Sequence, residues 1–297
     1  MMRRLAFLLV AVLLAAGCGD EKDDETTTEA APQELTWMAV DASDSHTCGL
    51  TAAQRVKCWG DDQGGQSSPP PGAFLQVSGG LWHTCGLTTD NTIKCWGLND
   101  DQQATPPEGI FLEVSAGSGH NCAINEMGTV QCWGDGMLGQ ASPPPVPFDS
   151  ISAGADHTCG VTTDGGALCW GDDTQGQSTP PEDTFLSVSA GWIHTCGITS
   201  AGTIKCWGAD NHDQSTPPDG VFESVHAGWS HTCARTRTGV IDCWGSDFHG
   251  QVSFPAGTYV AISTGADHTC GVTPMETMEC WGMDDDGATA PPATTAD

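Results

Sequence analysis

Residues 185–220 read FLSVSAGWIHTCGITSAGTIKCWGADNHDQSTPPDG, and the order of runs and turns within them sets the fold. Phe185 to Ser189 is a short apolar and β-branched run closed by Ala190-Gly191. His194 to Thr199 reads as a second strand and Thr203 to Trp207 as a third, with Ser200-Ala201-Gly202 as the turn between them. The polar stretch that follows carries Pro217-Pro218 and no period, which argues against a fourth regular strand. No segment has the length and period of a helix.

The unit recurs seven times at a spacing of 37 residues, without an insertion or deletion. His46, His83, His120, His157, His194, His231 and His268 keep the register, as do Trp59, Trp96, Trp133, Trp170, Trp207, Trp244 and Trp281. So do the cysteine pairs Cys48/Cys58, Cys85/Cys95, Cys122/Cys132, Cys159/Cys169, Cys196/Cys206, Cys233/Cys243 and Cys270/Cys280. Three strands cannot bury both faces alone, so the units must stack. Strand repeats of this length build propellers or solenoids. Seven copies with no distinct capping repeat favour the ring, which removes exposed sheet edges. The expected fold is therefore all-β, a closed seven-bladed propeller of three-stranded antiparallel blades over residues 36–297.

The N-terminus is of another kind. Met1-Met2-Arg3-Arg4 precedes a run from Leu5 to Ala16 with no polar residue, a basic head and apolar body that match a secretory signal and are too short to span a bilayer. Leu14-Ala15-Ala16-Gly17-Cys18 resembles the lipobox of bacterial lipoproteins. The resemblance implies removal of residues 1–17 and lipidation of Cys18, with Ala15 where that family more often has Leu. Residues 18–35 then form the lipidated Cys and an acidic tether, too poor in apolar groups to offset its ordering entropy. Gly19 lacks the Asp often used for inner-membrane retention, so the expected location is the outer membrane or cell surface.

The chain carries 9 Lys+Arg against 38 Asp+Glu, a net charge of −29, and signal removal takes away Arg3 and Arg4 and no acid. This excludes a general nucleic-acid binder and disfavours anionic headgroups, leaving the lipid anchor as the membrane contact. It allows cationic partners or divalent metals.

The repeat pattern V-S-A-G-x-x-H-T-C-G-(I/L)-T…T-I-K-C-W-G-x-(N/D)-x-x-G-Q resembles the regulator of chromosome condensation repeat. Its short period and Gln-Ser-Thr-Pro-Pro tail are most similar to the β-lactamase inhibitory protein II branch, which implies a seven-bladed ring of three-stranded blades. The nucleotide-exchange activity of the founding branch acts on a nuclear GTPase, which an exported lipoprotein would not meet. Three repeats depart: Asn121 replaces Thr, Val252-Ser253-Phe254-Pro255 replaces Ser-Thr-Pro-Pro, and Ala288 replaces Gln.

In an exported protein, evenly spaced pairs of cysteines read as disulfides. Pairing residue 199 with 203 sets Cys196 opposite Cys206, at a Cα separation of about 4.5–5.5 Å. Reduced space-filling thiols, bridges between blades and zinc held with the neighbouring His are the alternatives. Zinc sites use closer ligand spacing.

A His present once per blade is spread around the ring, so it is expected to hydrogen-bond backbone, and the repeated Trp to fill the core between blades. Catalysis needs a constellation that breaks the repeat, and the off-pattern His212, His226 and His249 have no evident nucleophile partner. No enzyme, catalytic residue or metal ligand set is expected.

The turn before each His and the loop after each Cys-Trp-Gly fall on one face. There the variable pairs include Leu81-Trp82, Trp192-Ile193 and Trp229-Ser230, and the loops add carboxylates such as Asp61-Asp62, Asp172-Asp173 and Asp284 to Asp286. Rigid aromatics in an acidic rim read as a recognition surface, with Trp82, Trp192, Trp229, Leu81 and Ile193 as candidate contacts. The expected partner is an extracytoplasmic protein held by a monomeric ring without a cofactor. The alternative from another class is a small-ligand binder, a lectin stacking glycans on the Trp or a calcium site in the acidic loops. The irregular spacing of the Asp pairs disfavours calcium.

Overall fold

The computed structural model describes residues 35–292. The signal sequence, the lipidation site Cys18 and the tether up to residue 34 lie outside the described residues.

Seven three-stranded antiparallel sheets follow one another in chain order, each made from one repeat. In blade 5 the strands are Phe185–Ala190, His194–Thr199 and Ile204–Gly208, as the pattern predicted to within a residue at each end. The first strand of every blade faces the axis and lines a central channel. The second is buried along its whole length in blades 1, 2, 4, 5 and 7. The polar tail after each third strand descends along the outer strand of the next blade, where Lys94 Nζ donates to Pro71 O at 3.3 Å.

Blade faces pack through apolar clusters such as Cys48, Leu50 and Val56 of blade 1 against Phe74, Val77 and Trp96 of blade 2. In blade 5 the inner strand opens on an aromatic that lies over a small residue of the middle strand. Phe185 sits on Gly197, where a Cβ would come within 2.6 Å of its ring, so in this blade the glycine lets the ring lie so close to the strand. Blades 3 and 6 have Ala123 and Ala234 at that position.

The cysteines form seven disulfides, each within one hairpin: Cys48–Cys58, Cys85–Cys95, Cys122–Cys132, Cys159–Cys169, Cys196–Cys206, Cys233–Cys243 and Cys270–Cys280. They join directly opposed residues of the middle and outer strands, as the register predicted. The structure differs from expectation in their spacing. All seven Cα separations are 4.0–4.1 Å, shorter than the range expected for opposed residues in general. The reason is that the cysteines occupy non-hydrogen-bonded positions, where strands approach most closely. The two halves of each bridge also differ in exposure. Cys48, Cys85, Cys122, Cys159, Cys196, Cys233 and Cys270 on the middle strands are fully buried. Cys58, Cys95, Cys132, Cys169, Cys206, Cys243 and Cys280 are only half-buried, because the outer strand has just the descending tail beyond it.

The repeated His takes a side-chain partner and not the backbone one expected of it. His120 Nε2 lies 2.7 Å from Thr158 Oγ1 in the next blade, and the same bond joins His157 to Thr195, His194 to Thr232 and His231 to Thr269. The Thr hydroxyl in turn donates to the carbonyl of the Gln midway along the intervening tail, as Thr158 does to Gln140 O at 3.2 Å. That carbonyl also accepts the indole N–H of Trp170 at 2.8 Å. Because the Thr proton is committed to the carbonyl, the hydroxyl can only accept from His, so Nε2 carries a proton, and burial, which lowers the imidazole pKa, leaves Nδ1 bare. Asn121 confirms the polarity. Its Oδ1 accepts from His83 at 2.8 Å and its Nδ2 donates to Gln103 O at 2.9 Å, reproducing both halves of the Thr contact.

The same bonds close the ring. Thr47 lies 2.8 Å from His268 Nε2 and donates to Ala288 O at 2.9 Å, and Trp59 Nε1 donates to that carbonyl at 2.8 Å. Ala288 serves here because the contact uses the main chain, so the departure from Gln costs the closure nothing.

Thr158→Val is expected to leave the His120 donor and the Gln140 carbonyl without this partner, at about 2–4 kcal/mol for two buried groups. Thr158→Asn is expected to be close to neutral, since blade 3 uses Asn there. Urea unfolding of both variants checks this, and equal losses would show that the hydroxyl's hydrogen bonds are not what matters.

Candidate functional site

Seven turns between inner and middle strands converge on one end of the channel. At the first of the two variable positions stand Asp44, Leu81, Ser118, Ala155, Trp192, Trp229 and Ala266, and all seven line a cavity of about 220 Å³ at the channel mouth. The second-position residues Ser45, Trp82, Gly119, Asp156, Ile193, Ser230 and Asp267 do not line it. A two-residue alternation thus sorts the variable side chains into those facing the mouth and those over the blades.

This sorting divides the candidate residues. Trp192 and Trp229, on adjacent blades, pack together with ring centroids 4.2 Å apart and their planes tilted by 50°. The Trp192 N–H donates to Gly228 O at 3.1 Å, fixing the turn against its neighbour. Leu81 faces the same mouth from blade 2, across the ring, and Ile193 is half-buried beside Trp192. Trp82 occupies a second position on blade 2 and is 37 % exposed, so the structure does not bring it to the Trp pair. The loops add an aromatic contact that the sequence reading left out. His212 meets Phe248 edge-on at 5.7 Å, and Phe248 is 81 % exposed. The signal was present in Phe248, the one aromatic in a loop otherwise filled by small, polar or flexible residues.

Below the mouth the inner strands form a collar of Asp41, Ser78, Ser115, Ser152, Ser189, His226 and Ser263. Ser78 Oγ accepts the Ala116 N–H at 3.0 Å, Ser115 the Ala153 N–H at 2.9 Å and Ser263 the Ala42 N–H at 3.0 Å. Asp41 Oδ1 takes the Gly79 N–H at 2.8 Å in the same way. Burial raises the Asp41 carboxyl to about 7, opposed by that N–H. It lowers His226 to about 4, helped by the nearby Arg235 charge. Asp41 and His226 are the two residues that break the collar's pattern of serines.

Most loop carboxylates are occupied by the loops themselves. Asp62 accepts from the Ser67 N–H and the Ser68 hydroxyl, Asp173 from Ser178 and Thr179, and Asp210 from Ser215 and Thr216. Asp61, Asp135 and Asp172 each take the side-chain amide of the Gln five residues on. Among the described residues no group of three His, Cys, Asp or Glu comes together in a way that could hold a metal ion. Asp44 differs: its carboxylate has no hydrogen bond or ion pair among the described residues. Burial first, then Asp267, Asp286 and Asp61, raise it to about 6.

The sequence profile of the regulator of chromosome condensation (RCC1) repeat matches residues 39–66, 74–103, 111–140, 148–177, 185–214 and 222–251. The chain belongs to the RCC1 repeat family. The profile stops short of the seventh repeat, which the structure nevertheless folds as a blade like the others. Among solved structures, the chain is similar to the ectodomain of the receptor kinase CR4 from Physcomitrella patens, with 30 % identity and a TM-score of 0.73 over 84 % of this chain and 74 % of that one. The CRINKLY WD40 ectodomain of the Arabidopsis thaliana receptor kinase ACR4 is 26 % identical, with a TM-score of 0.70 over 84 % and 98 %. Prp20p from Saccharomyces cerevisiae, 16 % identical with a TM-score of 0.63 over 76 % and 80 %, shares the fold. None of the curated proteins matches this chain.

Proposed function

We propose that this RCC1-repeat ring is a non-enzymatic binding module, exported and lipid-anchored through Cys18, that holds a protein partner on the channel-mouth face. The observation that carries the reading is the Trp192–Trp229 pair: two large, stiff side chains that break the repeat side by side at the rim of a cavity. Aromatics so placed offer a large contact area at small entropic cost on binding. The Phe248–His212 contact extends the strip outward, with Leu81, Ile193 and Trp82 as further contacts around the face. Seven disulfides suit an oxidising compartment, and the CR4 and ACR4 relatives are receptor ectodomains. The polar tether allows the ring to stand at most about 55 Å from the membrane. The repeated His residues, which would be the obvious catalytic set, are neutral and engaged between blades, which supports a non-catalytic role.

The test is capture from envelope and culture extracts on the oxidised mature chain, immobilised through its N-terminus. Its comparators are the Trp192→Ala/Trp229→Ala double variant and Met127→Ser, which alters a hairpin turn on the opposite face. A protein retained by the wild type and by Met127→Ser, and reduced at least about tenfold by the double variant, is the expected result. Equal retention by all three, or retention of glycan alone, would overturn it.

A further inference from the structure

Read around the channel mouth, the first-position residues run Trp192, Trp229, Ala266 and Asp44 across blades 5, 6, 7 and 1. Among these first-position residues it is the one place where an indole and a carboxylate are separated by a single small residue. Because Ala266 fills so little space, the gap is left open. It forms a second cavity of about 210 Å³ beside the channel, lined by Trp229, Ala266, Asp44, Ser45, Asp285 and Asp286 among others. Trp229 and Asp44 border both cavities.

Three features of this slot are unusual. Asp44 is a half-buried carboxylate with no cation and no hydrogen-bond donor among the described residues, whereas Asp62, Asp173 and Asp210 cap their own loops. Its neighbours Asp285 and Asp286 are likewise without partners. Independently of the carboxylates, Ser45 lines the same slot, and its hydroxyl is buried with no hydrogen-bond partner among the described residues. A buried hydroxyl is ordinarily satisfied, so this one marks a polar contact that a ligand can complete. The third feature is the indole wall, which favours a cation and has no attraction for an anion.

We infer that the slot between Trp229 and Asp44 receives the guanidinium or ammonium group of a basic side chain presented by the protein partner. The inference rests on the proposed binding role of this face and names the chemistry of its anchor. A cation there lies against the Trp229 ring, pairs with Asp44 and offers an N–H to Ser45, while its methylene stem passes over Ala266. A bound metal ion fits less well. Calcium needs six to eight converging oxygens, and the carboxylates here do not converge. The molecule's large negative charge draws basic partners to the face before contact.

The test uses small probes, so it does not depend on finding the partner. Acetyl-Gly-Arg-Gly-amide is titrated into the oxidised mature chain and followed by indole fluorescence and indole N–H chemical shifts. The neutral citrulline peptide, the lysine peptide and spermidine are titrated in parallel. The arginine and lysine peptides are expected to saturate, with the citrulline peptide about tenfold weaker or worse. Asp44→Asn, nearly isosteric, is expected to weaken the arginine peptide about tenfold, and Trp229→Phe to weaken it less than Trp229→Ala. Unchanged melting temperatures of these variants separate lost binding from lost folding. Equal affinity for arginine and citrulline, or an unchanged Asp44→Asn, would overturn the inference, as would tighter binding of spermidine than of the peptide. If the peptides fail while the Trp192/Trp229 double variant still loses its partner, the binding face stands and only the cationic anchor falls. If the peptides bind but no partner depends on the Trp pair, the slot stands and the protein-binding reading falls.

Discussion

Reduction of the seven disulfides is expected to unfold the ring at neutral pH and room temperature. Each bridge closes a hairpin between cysteines ten residues apart. In the chain-entropy model a loop of that size contributes about 2.7 kcal/mol, and seven contribute about 19 kcal/mol. A whole domain is stable by about 5–15 kcal/mol, so the loss exceeds what the rest of the fold holds in reserve. Packing cannot make up the difference. The bridges already sit in the apolar seams between blades, where Cys48 and Cys58 touch the cluster built on Phe74 and Trp96. Two thiols in place of a disulfide need more room in the same seam. The measurement is thermal and urea unfolding of the oxidised and fully reduced chain, with free thiols counted to prove reduction. A reduced protein melting within a few degrees of the oxidised one would show that blade packing alone carries the ring. The single pair Cys159→Ser/Cys169→Ser isolates one bridge, and its cost should be near the per-loop value.

What the sequence made legible follows from where each contact lies along the chain. Strand identity, hairpin register and disulfide pairing depend on residues within ten positions of one another, and a strict 37-residue period displays them seven times. Even there the pairing was legible and the burial was not. Cys95, Cys132 and Cys243 look equivalent to their partners in the repeat, yet they sit half-buried on outer strands whose position in the blade is a property of the assembled ring. Contacts between blades were harder. His120 finds Thr158 thirty-eight residues on, a relation that has meaning only once the ring and its direction are known. That is why a backbone partner was expected for the His and a hydroxyl was found. The face shows the same limit at finer scale. Trp82 looks equivalent to Trp192 and Trp229 among the variable residues, yet it stands one position later in its turn. One position in a two-residue turn is enough to send a side chain over the blade and away from the channel. The loop carboxylates carried a readable signal in the Ser or Thr five and six residues after Asp62, Asp173 and Asp210, the spacing at which each Asp holds its own loop.

Acid is expected to unfold the ring between about pH 6 and pH 4, and the slope identifies the groups responsible. Burial holds all seven ring imidazoles far below their ordinary value, His46, His157 and His231 to about 3 and His83, His120, His194 and His268 to about 4. In the unfolded chain they titrate near 6.5. A group whose folded value is depressed stabilises the fold fully above its unfolded value, and that contribution is lost as pH falls toward the folded one. Buried His226, held at about 4, adds an eighth imidazole. Three carboxyls act the other way. Burial raises Asp41 and Glu113 to about 7 and Asp44 to about 6, so near pH 5 the folded state holds roughly three protons that the unfolded chain does not. Near pH 5 the unfolded chain therefore binds roughly five more protons than the ring, which makes stability fall by about 7 kcal/mol per pH unit. The structure explains why the ring cannot simply accept the protons. Nε2–H is already committed to the next blade, and Nδ1 of His46, His83, His120, His157, His194 and His231 is buried with no partner to receive a new N–H. An imidazolium there would be an unpaired charge between two blades, repeated around the ring and repelled by its neighbours. Unfolding by circular dichroism at intervals from pH 7.5 to pH 3.5, with the disulfides intact, measures the slope. A melting temperature that holds steady from pH 6.5 to pH 4 would sink the account. A fall wholly restored by His120→Gln alone would sink it too, because a neutral amide donor there replaces one of the titrating imidazoles and leaves the rest.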